Sequence, residues 1–133
     1  MLNIHYTNNT KTALKEEAFF ETIRLSLKKH GITDNVDVEL QIVGQVVSRK
    51  LNKRYRTKDY ATDVLSFPIW PNLSTIKEKQ GQSQPVLLGS IVICLPVALR
   101  DAKRDDKEPI NHLQFLIDHS VQHLLGVHHE GDE

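Results

Sequence analysis

Val36-Asp37-Val38-Glu39-Leu40-Gln41-Ile42-Val43 alternates apolar and polar side chains at a period of two. Successive side chains of a strand point to opposite faces, so this stretch predicts a half-buried strand with Val36, Val38, Leu40 and Ile42 inward. A sheet with one buried face needs a covering layer. Upstream, residues 12–30 place Leu14, Ala18, Phe19, Ile23 and Leu27 at three- and four-residue spacing, an amphipathic helix with Gly31 as its stop. Downstream, residues 45–55 predict a helix with Val47, Leu51 and Tyr55 on its inner side and cations outside.

Further along, residues 62–67 read as a strand ended by Pro68. Residues 71–84 are rich in Ser, Asn, Lys, Gln and Gly and read as an exposed loop. Val86 to Cys94 is a long apolar strand, with Gly89 marking a bulge or a close approach of another backbone. Pro96 begins a short helix to about Arg104, because proline is tolerated in a first turn. Asp105-Asp106-Lys107-Glu108 is a charged connector, and Pro109 opens a last helix that runs to Gly126. No internal repeat or linker divides the chain. The simplest architecture is an α+β single domain over residues 1–133, with helices packed on a small mixed sheet.

The chain has 133 residues, which suits one domain and lets it bury about two thirds of its unfolded surface without a staple. Hydrophobic residues make up 39% and charged residues 26%, which argues against disorder, collagen or coiled coil. The single cysteine, Cys94, cannot form an intramolecular disulfide and reads as a small buried hydrophobe at a strand end. No apolar run approaches the roughly 20 residues that span a bilayer. The start, Met1-Leu2-Asn3-Ile4-His5, lacks the basic and apolar regions of a signal peptide. A reducing, cytoplasmic location is the expectation.

The formal net charge is zero, but it is unevenly spread: residues 1–60 carry 11 basic and 7 acidic side chains, residues 61–133 carry 6 and 10. Arg49, Lys50, Lys53, Arg54, Arg56 and Lys58 put six cations within ten positions. Such a patch attracts phosphate locally, within the screening distance of about 8–10 Å.

The chemistry lies near the carboxyl end. His119 and His123 are four apart on the last helix, so both imidazoles project from one side. That spacing is how a helix offers two nitrogens to a zinc ion. On a straight helix His129 would lie about 15 Å beyond His119. Gly126 intervenes, and glycine adopts the left-handed conformation that ends a helix, so the chain can turn back and bring His129 in as a third ligand. Three imidazoles and an open fourth position make a hydrolytic zinc site. His128 competes with His129, and spacing alone leaves that choice open. His112, seven before His119, reads as a structural or rim residue.

Zinc-protease helices carry H-E-x-x-H, whose Glu is the general base. Here Ser120 follows His119, so peptide cleavage lacks its base. Metal-assisted phosphodiester hydrolysis does not need that Glu; it needs a cation to receive the phosphate.

The stretch His119-x3-His123-Leu124-Leu125-Gly126-x-x-His129-Glu130-Gly131-Asp132-Glu133 closely resembles the signature of the YbeY family. Leu51-Asn52 with Tyr55-Arg56, then Thr62-Asp63-Val64-Leu65-Ser66-Phe67-Pro68, resembles the family's central motif, and Leu88-Gly89-Ser90-Ile91-Val92-Ile93-Cys94 its sheet strand. The resemblance implies a zinc-dependent endoribonuclease for single-stranded RNA, acting in small-subunit rRNA maturation and ribosome quality control. It implies His119, His123 and His129 as ligands of one zinc ion and Arg56 as the cleft arginine that receives RNA phosphate. Arg49, Lys50, Lys53, Arg54 and Lys58 would form a solvated or phosphate-tracking surface. Asp63 and Ser66 fall near the expected cleft, Asp63 also reading as a turn cap. The small ribosomal subunit, its proteins and an assembly GTPase are the implied partners.

The sequence departs from the family pattern in places. Ser90 stands where an Asp usually follows the Gly, and Val127-His128 replaces a usual Tyr-Asp. Members usually continue past the position of Glu133 into a closing helix, which this sequence is expected to lack. The rival reading is an RNA-binding ribosome-assembly factor whose zinc is structural and which has little catalysis of its own.

Overall fold

The alternating segment forms the strand β2 (Val36–Val43), with Val36, Val38, Leu40 and Ile42 fully buried. The computed structural model describes residues 1–127. Around β2 lie β1 (Leu2–Asn8), α1 (Glu16–Lys29), α2 (Gln45–Arg56), β3 (Val64–Pro68), α3 (Leu73–Gln80), β4 (Val86–Cys94), α4 (Leu95–Arg104) and α5 (Pro109–Leu124). The strands form a four-stranded mixed sheet in the order β1-β2-β4-β3. β1 and β4 flank β2 in parallel, and β3 runs antiparallel to β4 along the edge. The architecture is thus α+β, as expected.

α1 and α5 pack on the same face of the sheet. Phe19, Ile23 and Leu27 of α1 meet Leu113, Ile117, Val121 and Leu124 of α5 over Val38, Leu40, Ile91 and Ile93. Each such side chain contributes about 1.5–3 kcal/mol on leaving water, against the entropy lost on ordering it. The Ser26 hydroxyl donates to the Asp118 carbonyl at 3.5 Å, tying the two helices together. α2 covers part of the opposite face, where Leu51 and Phe67 pack on Val43, Leu65 and Val92.

Gly89 lies at a register shift between β2 and β4, and its φ of +145° is open to glycine alone. A Cβ there would stand 2.2 Å from the Phe67 carbonyl oxygen. The close backbone approach expected at this residue is therefore real, and it seats β3 on β4. Cys94 is buried at the strand end, as expected.

Four expectations need correction. The inner side of α2 is formed by the buried Ser48 and Asn52 with the half-buried Leu51, because those two polar side chains bond the backbone of the loop that follows, whereas Val47 and Tyr55, expected there, are exposed. The sequence reading had no strand ahead of the first helix, yet β1 is there, with Leu2, Ile4 and Tyr6 half-buried and Asn3, His5 and Thr7 exposed. The first helix starts at Glu16, not residue 12, because the Asn8 side chain accepts from the Thr10 N–H at 3.0 Å and donates to the Thr12 carbonyl at 2.8 Å, engaging backbone that a helix would need. Residues 71–84 are not all loop. Asn72 caps α3 by accepting from the Thr75 N–H at 2.8 Å, and the fully buried Ile76 pins that helix to the core. Among the described residues, no helix is long and apolar enough to cross a membrane.

Candidate active site

α5 opens with Pro109 and is apolar on the side that meets the sheet. Its other side carries His119 and His123, both half-buried, with ring centroids 4.6 Å apart and planes at 79°. The two Nε2 atoms are 3.0 Å apart. Neighbouring nitrogens on a tetrahedral zinc, at about 2.0–2.1 Å from the metal, are separated by about 3.4 Å. The pair is therefore close to the spacing of two ligands on one ion. Imidazole nitrogen is a donor that zinc takes. Among the described residues, no group of three or more His, Cys, Asp or Glu side chains is placed to hold a metal ion. His129, the expected third ligand, and His128, its competitor, lie outside the described residues.

The helix ends where the sequence reading placed its stop. The Gly126 N–H bonds the His123 carbonyl at 3.0 Å and the Val127 N–H bonds the Gln122 carbonyl at 2.9 Å, with Gly126 at φ +71°. This reciprocal pair closes the helix in a Schellman arrangement and turns the chain away from its axis.

Between α5 and β3 lies a cleft of about 630 Å³. His119 and His123 line it on one side, and Asp63, Ser66 and Arg56 on the other. Arg56 is the last residue of α2, and the left-handed Thr57 (φ +58°) turns the chain directly after it. Two buried polar residues of α2 fold the following loop back along the helix. The Ser48 Oγ donates to the Thr62 carbonyl and accepts from the Thr62 N–H, each at 3.0 Å. The Asn52 Nδ2 donates to the Tyr60 carbonyl at 2.9 Å. Asp63, next after Thr62, and Arg56 both line the cleft. Asp63 caps the turn into β3, accepting from the Val64 N–H at 2.7 Å, while its carbonyl accepts from the Cys94 N–H at 2.8 Å.

The rest of the basic run has other surroundings. Arg49 makes a two-pronged bond to Asp59, at 2.8 and 3.2 Å. Those hydrogen bonds hold the Asp59 carboxyl below the usual carboxylate range, with a lesser contribution from the Lys53 charge. Arg54 lies over the Tyr55 ring, 5.3 Å from its centroid. Lys50, Lys53 and Lys58 are exposed. Of the six cations, Arg56 alone lines the cleft. Ser90 lines a separate hollow beside Tyr55 and Phe67, on the far face of the sheet.

The sequence reading missed three features of the cleft. Trp70, the sole tryptophan, lines it and donates Nε1–H to the Leu87 carbonyl at 2.8 Å. Phe115 lines it too, and its place four residues before His119 was the available signal. Ser66 and Ser120 are joined Oγ to Oγ at 2.5 Å, clamping α5 to β3 at the position between the two histidines. His112 is buried at 6% exposure, and neither ring nitrogen has a hydrogen-bond partner among the described residues.

A family model described as "Endoribonuclease YbeY" matches residues 3–133. Proteins named "Endoribonuclease YbeY" are similar across most of the chain. That of Alkalilimnicola ehrlichii is 34% identical over 134 residues, covering 99% of this chain and 76% of its own. That of Acinetobacter baumannii is 37% identical over 118 residues, covering 88% and 72%. That of Thermoanaerobacter sp. is 36% identical over 124 residues, covering 89% and 77%. The solution structure of a Thermotoga maritima protein superposes with a TM-score of 0.65 at 25% identity, covering 98% of this chain and 77% of that one. With the family's pattern matched from residue 3 to residue 133, the chain belongs to the endoribonuclease YbeY family.

Proposed function

We propose that the protein is a metal-dependent endoribonuclease that cuts single-stranded RNA in small-subunit rRNA maturation and ribosome quality control. On this reading residues 1–133 act as one catalytic domain. One observation carries it: the His119 and His123 nitrogens converge to 3.0 Å in a cleft that Arg56 also lines. Imidazole donors suit zinc, and His119, His123 and His129 would hold it. Zinc so held supplies Lewis acidity and lowers the pKa of a bound water towards about 7.

The protein's own groups do the rest. Arg56 receives the scissile phosphate with planar, permanently charged donors and opposes the negative charge that grows on it. Its place at the end of α2, with the chain turned away at Thr57, keeps it at the mouth of the cleft. Ser66 and Asp63 line the same cleft and are the polar groups available there to orient water or a ribose hydroxyl. The small ribosomal subunit, its proteins and an assembly GTPase are the partners this role entails.

The test is cleavage of a single-stranded oligoribonucleotide by the purified protein, with elemental analysis, before and after chelation. The expected result is about one zinc per chain and cleavage that stops with chelator and returns with zinc. Arg56→Ala should lower kcat by roughly 10²–10³-fold and leave the zinc content unchanged. His119→Ala or His123→Ala should lose the metal. Undiminished cleavage in chelator would remove the metal from the reaction. Salt-dependent RNA binding without turnover would favour the assembly-factor reading instead.

A further inference from the structure

Phe115 is 57% exposed, although most apolar side chains of α5 are turned into the core. It faces the same cleft as His119, His123 and Arg56. Its ring lies between His112 and His119, with centroids 6.3 and 6.2 Å away and planes within 19° and 17° of parallel. His112 is buried and so anchors one end of this row. The Lys107 ammonium stands over the ring, 5.3 Å from its centroid. The cleft thus presents a solvent-exposed aromatic ring, flanked by two imidazoles and with a cation over one face, next to the imidazole pair.

An unpaired nucleobase uses these features: an accessible flat π-surface, and positive charge for the phosphate it carries. A paired base keeps its faces within the duplex stack and cannot use such a surface. We infer that Phe115 is the platform on which an unpaired base stacks beside the phosphate to be cut, and that it sets the preference for single strands. The base takes the ring face now occupied by Lys107, and the displaced ammonium moves to the neighbouring phosphate. Phe115 is a positioning and specificity residue in this scheme. The inference rests on RNA being the substrate.

The experiment measures binding of a short fluorescein-labelled oligouridylate in the presence of chelator, so that cleavage does not intervene, and compares Phe115→Ala with Phe115→Tyr. Phe115→Ala should weaken binding roughly ten- to hundred-fold, Phe115→Tyr should bind like the starting protein, and a blunt hairpin should bind all three alike. Without chelator, Phe115→Ala should raise KM far more than it lowers kcat. A set of oligonucleotides with one abasic position moved along the strand should reveal a position where the starting protein loses affinity and Phe115→Ala does not. Unchanged affinity in Phe115→Ala, or the same abasic penalty in both proteins, overturns the stacking role while leaving the nuclease reading intact. Failure of the starting protein to bind or cut any single strand overturns that reading first, and this inference with it.

Discussion

Ser66 of β3 and Ser120 of α5 share a hydrogen bond, Oγ to Oγ at 2.5 Å. Ser120 is fully buried and sits between His119 and His123 in sequence, so this contact adds a polar tie from α5 to β3 between the two imidazoles, beside the apolar packing that seats the helix. Ser66 lines the cleft, and its hydroxyl can exchange its partner for water. The buried Ser120 hydroxyl cannot. Ser66→Ala should cost about 1–3 kcal/mol and Ser120→Ala about 0.5–1.5 kcal/mol. The double variant should lose less than the sum. Urea unfolding of the three proteins measures this, and additive losses would show that the hydroxyls do not interact.

Glycine at position 89 is required twice over. A Cβ would stand 2.2 Å from the Phe67 carbonyl oxygen and 2.9 Å from the Leu124 Cδ2, at a φ that side chains avoid. Gly89→Ala must part β3 from β4 or displace α5, at a cost of about 2–5 kcal/mol. Gly126→Ala should cost less, since left-handed alanine is worth about 1–2 kcal/mol. Its Cβ would nonetheless press on the Pro71 carbonyl and Asn72 Cα, both 2.9 Å away. Denaturation midpoints should fall in the order Gly126→Ala, then Gly89→Ala. The reverse order would mean that the β3–β4 contact yields more easily than the packed helix end.

Both glycines could be read from sequence because each breaks a strong pattern, a long apolar strand in one case and an apolar helix in the other. β2, β4 and α5 were legible for the same reason. β1 was not: its three inward residues alternate with Asn, His and Thr in a stretch too short to stand out. α3 was hidden because one buried residue, Ile76, and one cap, Asn72, hold it, and composition averages those away. The histidine pair showed itself through helical spacing. The Ser66–Ser120 clamp and the row from His112 through Phe115 to His119 depend on how α5 sits against β3, which periodicity does not encode.

The Arg49–Asp59 pair has a clear pH signature. Asp59 keeps its charge to lower pH in the folded protein than in the unfolded chain, because Arg49 hydrogen-bonds its carboxylate. Its stabilising effect is therefore present above the unfolded value of about 4 and fades as pH falls through the lower folded value. Asp59→Asn should reduce stability near neutral pH and converge with the starting protein at acid pH. Both partners are exposed, so the difference should be small and should shrink with added salt. Denaturant titrations across that pH range at two ionic strengths test it. A deficit that grew towards acid pH would contradict the sign.

Arg56 and its neighbours separate two uses of positive charge. Arg56 lines the cleft, whereas Lys50 and Lys53 are exposed outside it on the same helix. A lysine that merely tracks a phosphate gives up a counterion, so losing it weakens binding to every sequence alike and flattens the salt dependence. For a single strand each such contact contributes about 0.7 to the slope of log affinity against log salt. Lys50→Ala with Lys53→Ala should therefore reduce that slope by up to about 1.4 with kcat nearly unchanged. Arg56→Ala should act on kcat instead, because under the proposed function its charge opposes the negative charge that builds on the reacting phosphate. Measuring kcat, KM and the salt slope for both variants distinguishes the two effects. A double-lysine variant that lost kcat as strongly as Arg56→Ala would place the reacting phosphate outside the cleft, on the outer face of α2.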